Sequence, residues 1–186
     1  MTPPDSLPRI AVLVVHWNRP DETVACVRSL QQTTYGALDI IIVDNDSVPA
    51  AVATLQRCLP EIPIVRSERN VGYAGAFNLG AQYALRELRP AYLWLLNNDT
   101  IVDAACPAEM VAASQRLGPA IISPKILQCD NRSVLWYAGG YLEPNLKSHH
   151  LGRDEPDVGQ YNTTRVIPWA SGCSLFLDVA VLDRVG

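Results

Sequence analysis

No two cysteines in this 186-residue sequence form a CxxC pair. The five present, Cys26, Cys58, Cys106, Cys129 and Cys173, stand far apart. That spacing excludes a cysteine metal knuckle, and an odd count makes a poor disulfide framework. They read as reduced thiols packed inside a cytoplasmic protein. Basic clusters are also missing: the formal charge is -4 and the pI about 5.3. This excludes a general affinity for nucleic-acid backbone. Long apolar runs are absent as well. Ile10–Val15 and Ala91–Leu96 fall far short of the roughly 20 residues of a membrane-spanning helix. The opening MTPPDSLPRI lacks the apolar core of a signal peptide. A soluble chain is expected, with peripheral association at a membrane surface left open. There is no internal repeat and no low-complexity tract.

What remains is an ordinary globular composition, 48% hydrophobic and 18% charged, long enough for one domain with a sizeable core. Arg9–Val15 is a continuous β-branched run, the pattern of a strand buried on both faces. Helical spacing follows over Glu22–Gln32, through Val24, Val27 and Leu30. A second buried strand, Leu38–Val43, leads into Asp44-Asn45-Asp46-Ser47. Ala50–Leu59 reads as a helix, Ile62–Arg66 as a short strand, Gly75–Leu88 as a helix and Ala91–Leu96 as a fourth strand. This alternation predicts an α/β fold with a mostly parallel sheet covered by helices on both faces. From Asp103 the pattern changes. A helix over Asp103–Leu117 is followed by short strand-like pieces at Ala120–Ile122, Val134–Ala138, Val166–Trp169 and Ser174–Leu177. The polar stretch Glu143–Arg165 reads as an extended, mobile loop.

Ligands of open α/β sheets bind outside the carboxyl ends of the strands. Here those ends carry His16-Trp17-Asn18-Arg19, then Asp44-Asn45-Asp46-Ser47, then Arg69 to Gly75, and Asn97-Asn98-Asp99-Thr100. Each alone could be turn chemistry or a helix cap. Four polar ends on one edge favour a shared cleft. Gly72 and Gly75 permit close backbone approach and open a helix whose amides can face an anion. They do not make a Walker A motif, and strand one is followed by no glycine fingerprint, which argues against a dehydrogenase. Asp99 is the best metal ligand, with Asn98 and Asn97 beside it. One carboxylate suits magnesium or manganese, whose other ligands come from water and substrate phosphates. Zinc would want His and Cys, and His16, His149 and His150 are too dispersed.

The order VVHWNRPDET, IIVDNDS, RNVGYAGAFNLG and LWLLNNDT, with the later WASGCSLFLD and LDRVG, resembles glycosyltransferase family 2, in particular its rhamnosyltransferase-like branch. The resemblance spans Ile10 to Gly186. It implies a GT-A fold over one domain, 1–186, with a nucleotide-binding half at 9–102 and the start of an acceptor and sugar half at 103–186. It implies inverting transfer of a sugar, rhamnose in this branch, from a dTDP- or UDP-linked donor to a glycan or lipid-linked acceptor. That work would belong to polysaccharide or cell-envelope assembly, in the cytoplasm or at the inner face of the membrane. His16, Trp17, Asn18, Asp44 and Asn45 would line the nucleoside pocket, and Asn70, Gly72 and Asn78 would flank the nucleotide. Asn97-Asn98-Asp99 occupies the place of the family's DxD motif, with Asp99 at its last position holding Mg or Mn. Trp169, Ser171 and Gly172 match the segment that meets sugar or acceptor, although a core role for the tryptophan fits equally.

Inversion in one displacement needs a carboxylate base, which the family carries just after the segment matched by Val185-Gly186. The base is therefore expected beyond Gly186, and the chain reads as incomplete at its C-terminus. Asp178 and Asp183 fit helix capping and surface roles better. Two rivals stay open: a donor-binding module without turnover, and a nucleotidyltransferase making sugar nucleotides. The second would want a glycine-rich basic loop after strand one, which His16-Trp17-Asn18 does not supply.

Overall fold

The computed structural model describes residues 7–185. Its centre is β1 (Ile10–His16), in which every residue is buried. The continuous apolar run is required because β1 lies between two parallel neighbours and under helices on both faces. It pairs with β2 (Leu38–Asp44) from Ile10↔Leu38 to His16↔Asp44. On its other side it pairs with β4 (Tyr92–Asn97), from Ile10↔Tyr92 to Val15↔Asn97. The short β3 (Ile64–Arg66) flanks β2 in parallel.

Even-numbered β1 residues face one core, shared with Val24, Val27 and Leu30 of α1 (Pro20–Gln31) and Leu55 of α2 (Pro49–Cys58). Met110 and Val111 of α4 (Cys106–Leu117) close the same core. Odd-numbered residues face a second core against Ala76, Ala81 and Ala84 of α3 (Gly72–Glu87). Gly80 lets α3 lie close to the sheet, because a Cβ there would meet Val43 and Leu13. Proline in the first turns of α1, α2 and α4 starts those helices without wasting a hydrogen bond.

The six-stranded order is β3-β2-β1-β4, then β10 (Ser174–Asp178) and β5 (Ile121–Ile122). The chain moves outward from β1 to β3, then returns through α3 to the far side of β1. The strand direction of travel thus reverses between β1 and β4, where doubly wound sheets open their ligand crevice. The last strand, β10 (Ser174–Asp178), runs antiparallel to β4 and to β5 (Ile121–Ile122), and α5 (Val179–Val185) follows it. Two further ribbons form: β6 (Ile126–Leu127) with β7 (Leu135–Tyr137), and β8 (Gly140–Leu142) with β9 (Ser148–His150).

Two expectations are corrected. Val166–Trp169 is not a strand. Pro168 removes one ladder donor, and the Trp169 carbonyl is taken by the Tyr137 hydroxyl at 3.2 Å. Glu143–Arg165 is not a free extended loop: it contains β9, bridges Val134 through Pro156, and is tied by Asp157 to Lys125 at 2.6 Å. Among the described residues, no helix is long and apolar enough to cross a membrane. The five cysteines are all free.

Candidate functional site

The parallel register brings the four carboxyl ends together. His16 stands opposite Asp44, Asp44 opposite Arg66, and Val15 opposite Asn97. The side chains there divide into groups that build the edge and groups left free along it.

His16 is fully buried, with Nδ1 2.7 Å from the Thr23 hydroxyl. That hydroxyl donates to the Arg19 carbonyl at 3.1 Å and accepts from the Asn98 amide at 2.9 Å. Its single proton is thereby used, so His16 donates from Nδ1 and is left with a bare, buried Nε2. Burial holds the imidazole pKa below its usual value, against an opposing pull from Asp44. The ring is a neutral acceptor at neutral pH.

Asp44 is also fully buried. One oxygen accepts from the Ser47 amide at 3.2 Å. The other lies 3.2 Å from Arg66 Nε, close enough for an ion pair but not aligned as a hydrogen bond. Arg66 also donates to the Ser47 carbonyl at 2.9 Å. Asn18, in left-handed backbone at φ 56, accepts from the Val48 amide at 2.8 Å, and its own amide donates to Ser47 Oγ at 2.9 Å. It therefore staples the first edge loop to the second. Trp17 beside it is 56% exposed, an open aromatic face.

Asn45 is buried and fully occupied. It donates to the Asn70 side chain at 3.1 Å and to the Gly72 carbonyl at 3.3 Å, and accepts from the Val71 amide at 3.0 Å. Asn70 in turn accepts from the Gly72 amide at 2.9 Å. Asn45 and Asn70 thus hold the turn that starts α3, at Gly72 with φ 73. Val71, at the cap position, offers no side-chain bond of its own, so beyond the Gly72 amide held by Asn70 the next amides of the first turn, from Tyr73 to Gly75, are the ones an anion can meet. Asn78 is exposed on α3, one turn beyond Ala74.

At the end of β4, Asn97 and Asn98 are half-buried while Asp99 is exposed. Asp99 enters none of the ion pairs formed among the described residues. Its field reaches Arg19, Tyr73, Cys26 and Cys173. Burial, with Asp99 adding to it, pushes the Cys173 thiol up to about 12 and the Cys26 thiol up to about 11, so both stay protonated.

The segment from Trp169 to Cys173 is drawn to this same place. The Tyr73 hydroxyl donates to the Gly172 carbonyl at 2.7 Å, and the Asn97 amide donates to the Cys173 carbonyl at 2.9 Å. Ser171 is buried, its amide 3.3 Å from the Tyr137 hydroxyl and its own hydroxyl accepting from the Cys173 amide at 3.2 Å. Trp169 lies over Gly140, donates to the Tyr141 carbonyl at 3.0 Å, and packs among Tyr137 and His150. It holds the small ribbons together. Beside Asp99, which lines it, a cavity of about 450 Å³ opens between the end of β4 and the β6–β7 ribbon, with Ile101, Leu127, Arg132 and Trp136 in its wall.

Thr23, Tyr73 and Arg66 were not singled out from the sequence, although each shapes this edge. A lone exposed carboxylate suits Mg or Mn completed by phosphate oxygens. Among the described residues no three His, Cys, Asp or Glu side chains gather as a complete cage. Asp99 therefore fits an ion shared with a substrate, and does not fit a resident structural metal.

The glycosyl transferase family 2 model matches residues 11–179. The chain is 27% identical over 178 residues to the low-salt glycan biosynthesis hexosyltransferase Agl10 of Haloferax volcanii, covering 95% of this chain and 55% of that protein. It is 31% identical over 130 residues to the galactofuranosyltransferase GlfT1 of Mycobacterium tuberculosis, covering 67% and 41%. The chain thus spans about half the length of these relatives. Among solved structures it is similar to the mannosyltransferase PcManGT from Pyrobaculum calidifontis in complex with GDP-Man and Mn2+. The TM-score there is 0.66 at 16% identity, covering 98% of this chain and 48% of that one. The TarS 1-349 structure from S. aureus superposes at a TM-score of 0.63 with 14% identity, covering 95% and 49%. These likenesses give the sheet its name, the GT-A fold. With a family match running from the second residue of β1 to the first of α5, this chain belongs to glycosyl transferase family 2.

Proposed function

We propose that this chain binds a nucleoside diphosphate sugar along the carboxyl edge of β1, β2 and β4, as the donor-binding half of a glycosyltransferase. The observation that carries the reading is Asp99, exposed at the switch point after β4, where the first turn of α3 and the Gly172–Cys173 carbonyls also converge. The base and ribose would lie toward His16, Trp17, Asn18 and Asp44, with Trp17 offering a stacking face and the α3 amides meeting phosphate. Asp99, next to Asn97 and Asn98, would hold a divalent Mg or Mn ion shared with the diphosphate. When bound, such an ion neutralises charge on the departing diphosphate. Ser171 and Gly172 would border the sugar, while Trp169 supports them from behind. The branch resemblance points to rhamnose on dTDP, and a UDP-linked sugar is the other candidate donor. The acceptor would be a glycan or lipid-linked glycan presented at the cytoplasmic face of a membrane.

Inverting transfer needs a base near the anomeric carbon, and Asp178 does not supply it. It pairs in register with Tyr92, at the far end of β4 from Asp99, and caps the Ala180 amide at 2.9 Å. The side chain of Asp183 lies outside the described residues. The second reading is a donor-binding module that does not turn the donor over. Titration calorimetry with UDP and dTDP, with and without Mn2+, tests the site. The expected result is Mn2+-enhanced binding in the native chain and none of that enhancement in Asp99→Asn. Equal binding with and without metal would refute the role of Asp99. A transfer assay on the same chain separates the two readings.

A further inference from the structure

Three consecutive contacts join α1 to the segment after β4, and they rise at helical spacing. Thr23 accepts from Asn98 at 2.9 Å. Cys26 Sγ lies 3.6 Å from the Asn97 carbonyl and 3.5 Å from Thr100 Oγ1. Ser29 accepts from the Val102 amide at 3.0 Å. All three α1 side chains are buried, on a helix whose other buried positions, Val24, Val27 and Leu30, are the expected apolar ones.

Buried hydroxyls on the core side of a helix are expensive unless something requires them. Here Thr23 and Ser29 give their protons to the Arg19 and Cys26 carbonyls, at 3.1 and 2.7 Å, and turn their lone pairs to donors of the 97–102 segment, which carries Asp99 at its centre. Asp99 itself has no ion pair to fix it, so its position depends on the backbone on either side. α1 holds that segment through the Asn97 carbonyl, the Asn98 side chain and the Val102 amide.

We propose that Thr23, Cys26 and Ser29 are positioning residues, a polar ladder that presets the Asp99 loop for a divalent ion bound with the donor diphosphate. The ladder rests on the reading of Asp99 given above. Thr23 is its principal rung, because the same hydroxyl also receives the His16 proton and so joins the β1 end to the β4 end. Partners that orient a metal ligand change metal affinity by about 10–100-fold when removed.

The test uses calorimetry with UDP and dTDP, each with and without Mn2+, on the native chain, Thr23→Val, Thr23→Ser, Ser29→Ala and Asp99→Asn. Amide hydrogen exchange over 97–102 is followed without metal. In Thr23→Val the Mn2+ enhancement should fall by about tenfold or more, with metal-free nucleotide affinity changed far less and exchange faster at 98–102. Thr23→Ser, which keeps the hydroxyl, should restore both. If Thr23→Val does not fold, Ser29→Ala carries the same comparison through the Val102 amide. A native Mn2+ enhancement abolished in Asp99→Asn but intact in Thr23→Val, or in Ser29→Ala where that variant stands in, overturns the ladder alone. No Mn2+ enhancement in the native chain, or its survival in Asp99→Asn, overturns the reading of Asp99 on which the ladder rests.

Discussion

Gly140→Ala is the most crowded of the glycine-to-alanine changes among the described residues. A Cβ at position 140 would stand well under 3.0 Å from three atoms of the Trp169 indole. An ordinary carbon contact is about 3.5–4.0 Å, so the ring must retreat, and the indole cannot fold away as a flexible chain would. Its Nε1 is also bound to the Tyr141 carbonyl. Overpacking of this kind costs about 1–3 kcal/mol, and losing the indole hydrogen bond adds about 1 kcal/mol. Against that, alanine restricts the unfolded chain and returns about 0.4–1 kcal/mol. A net loss of about 1–3.6 kcal/mol is expected, or a fall of roughly 2–14 °C in melting temperature for a chain of this size. Urea unfolding followed by tryptophan fluorescence measures it. The double variant Gly140→Ala/Trp169→Leu should be less destabilised than the sum of its singles, because the clash has gone. Nucleotide affinity should change little, since β8 lies away from the β1–β2 edge. A Gly140→Ala chain as stable as the native one would refute the packing argument.

Gly72→Ala isolates a backbone effect at the start of α3. The Cβ would meet nothing, but φ is 73, so left-handed strain alone should cost about 1–2 kcal/mol in a thermal melt. His16 makes stability pH-dependent with a definite sign. Its pKa is lowered in the fold, so below about pH 6.5 the unfolded chain binds the extra proton and the native chain resists it. Unfolding free energy should therefore be intact at pH 7 and fall toward pH 5, by up to about 1.4 kcal/mol per unit. His16→Asn, which keeps a donor for Thr23, should flatten that slope when the two are compared by denaturant titration.

The parts of the fold that read clearly in the sequence are those where one requirement dominates. β1, β2 and β4 are buried on both faces, so nothing but an apolar run will serve, and their positions emerge within a residue or two. The second half does not work that way. β6 to β9 are two or three residues long, and side chains such as Tyr137 and Trp169 do much of the joining. Val166–Trp169 has strand-like composition, yet it pairs with no ladder, and its Trp169 carbonyl goes to the Tyr137 hydroxyl.

The site shows the same division at finer scale. Polar residues at strand ends announced the edge, but not which of them face solvent and which build it. Asn45 and Asn70 satisfy each other and the α3 turn, whereas Trp17 and Asp99 are left outward. A sequence pattern treats all four alike because each stands in a segment that follows a strand. The more telling signal lay in α1. Thr23, Cys26 and Ser29 recur every third residue beside the apolar positions 24, 27 and 30. A polar stripe that adjoins the apolar face instead of opposing it must be buried with that face. The carbonyls of Arg19 and Cys26 take the hydroxyl protons, and the lone pairs that remain want donors, which the loop carrying Asp99 supplies. Such a stripe on the helix after β1 therefore points to the segment that must be held still.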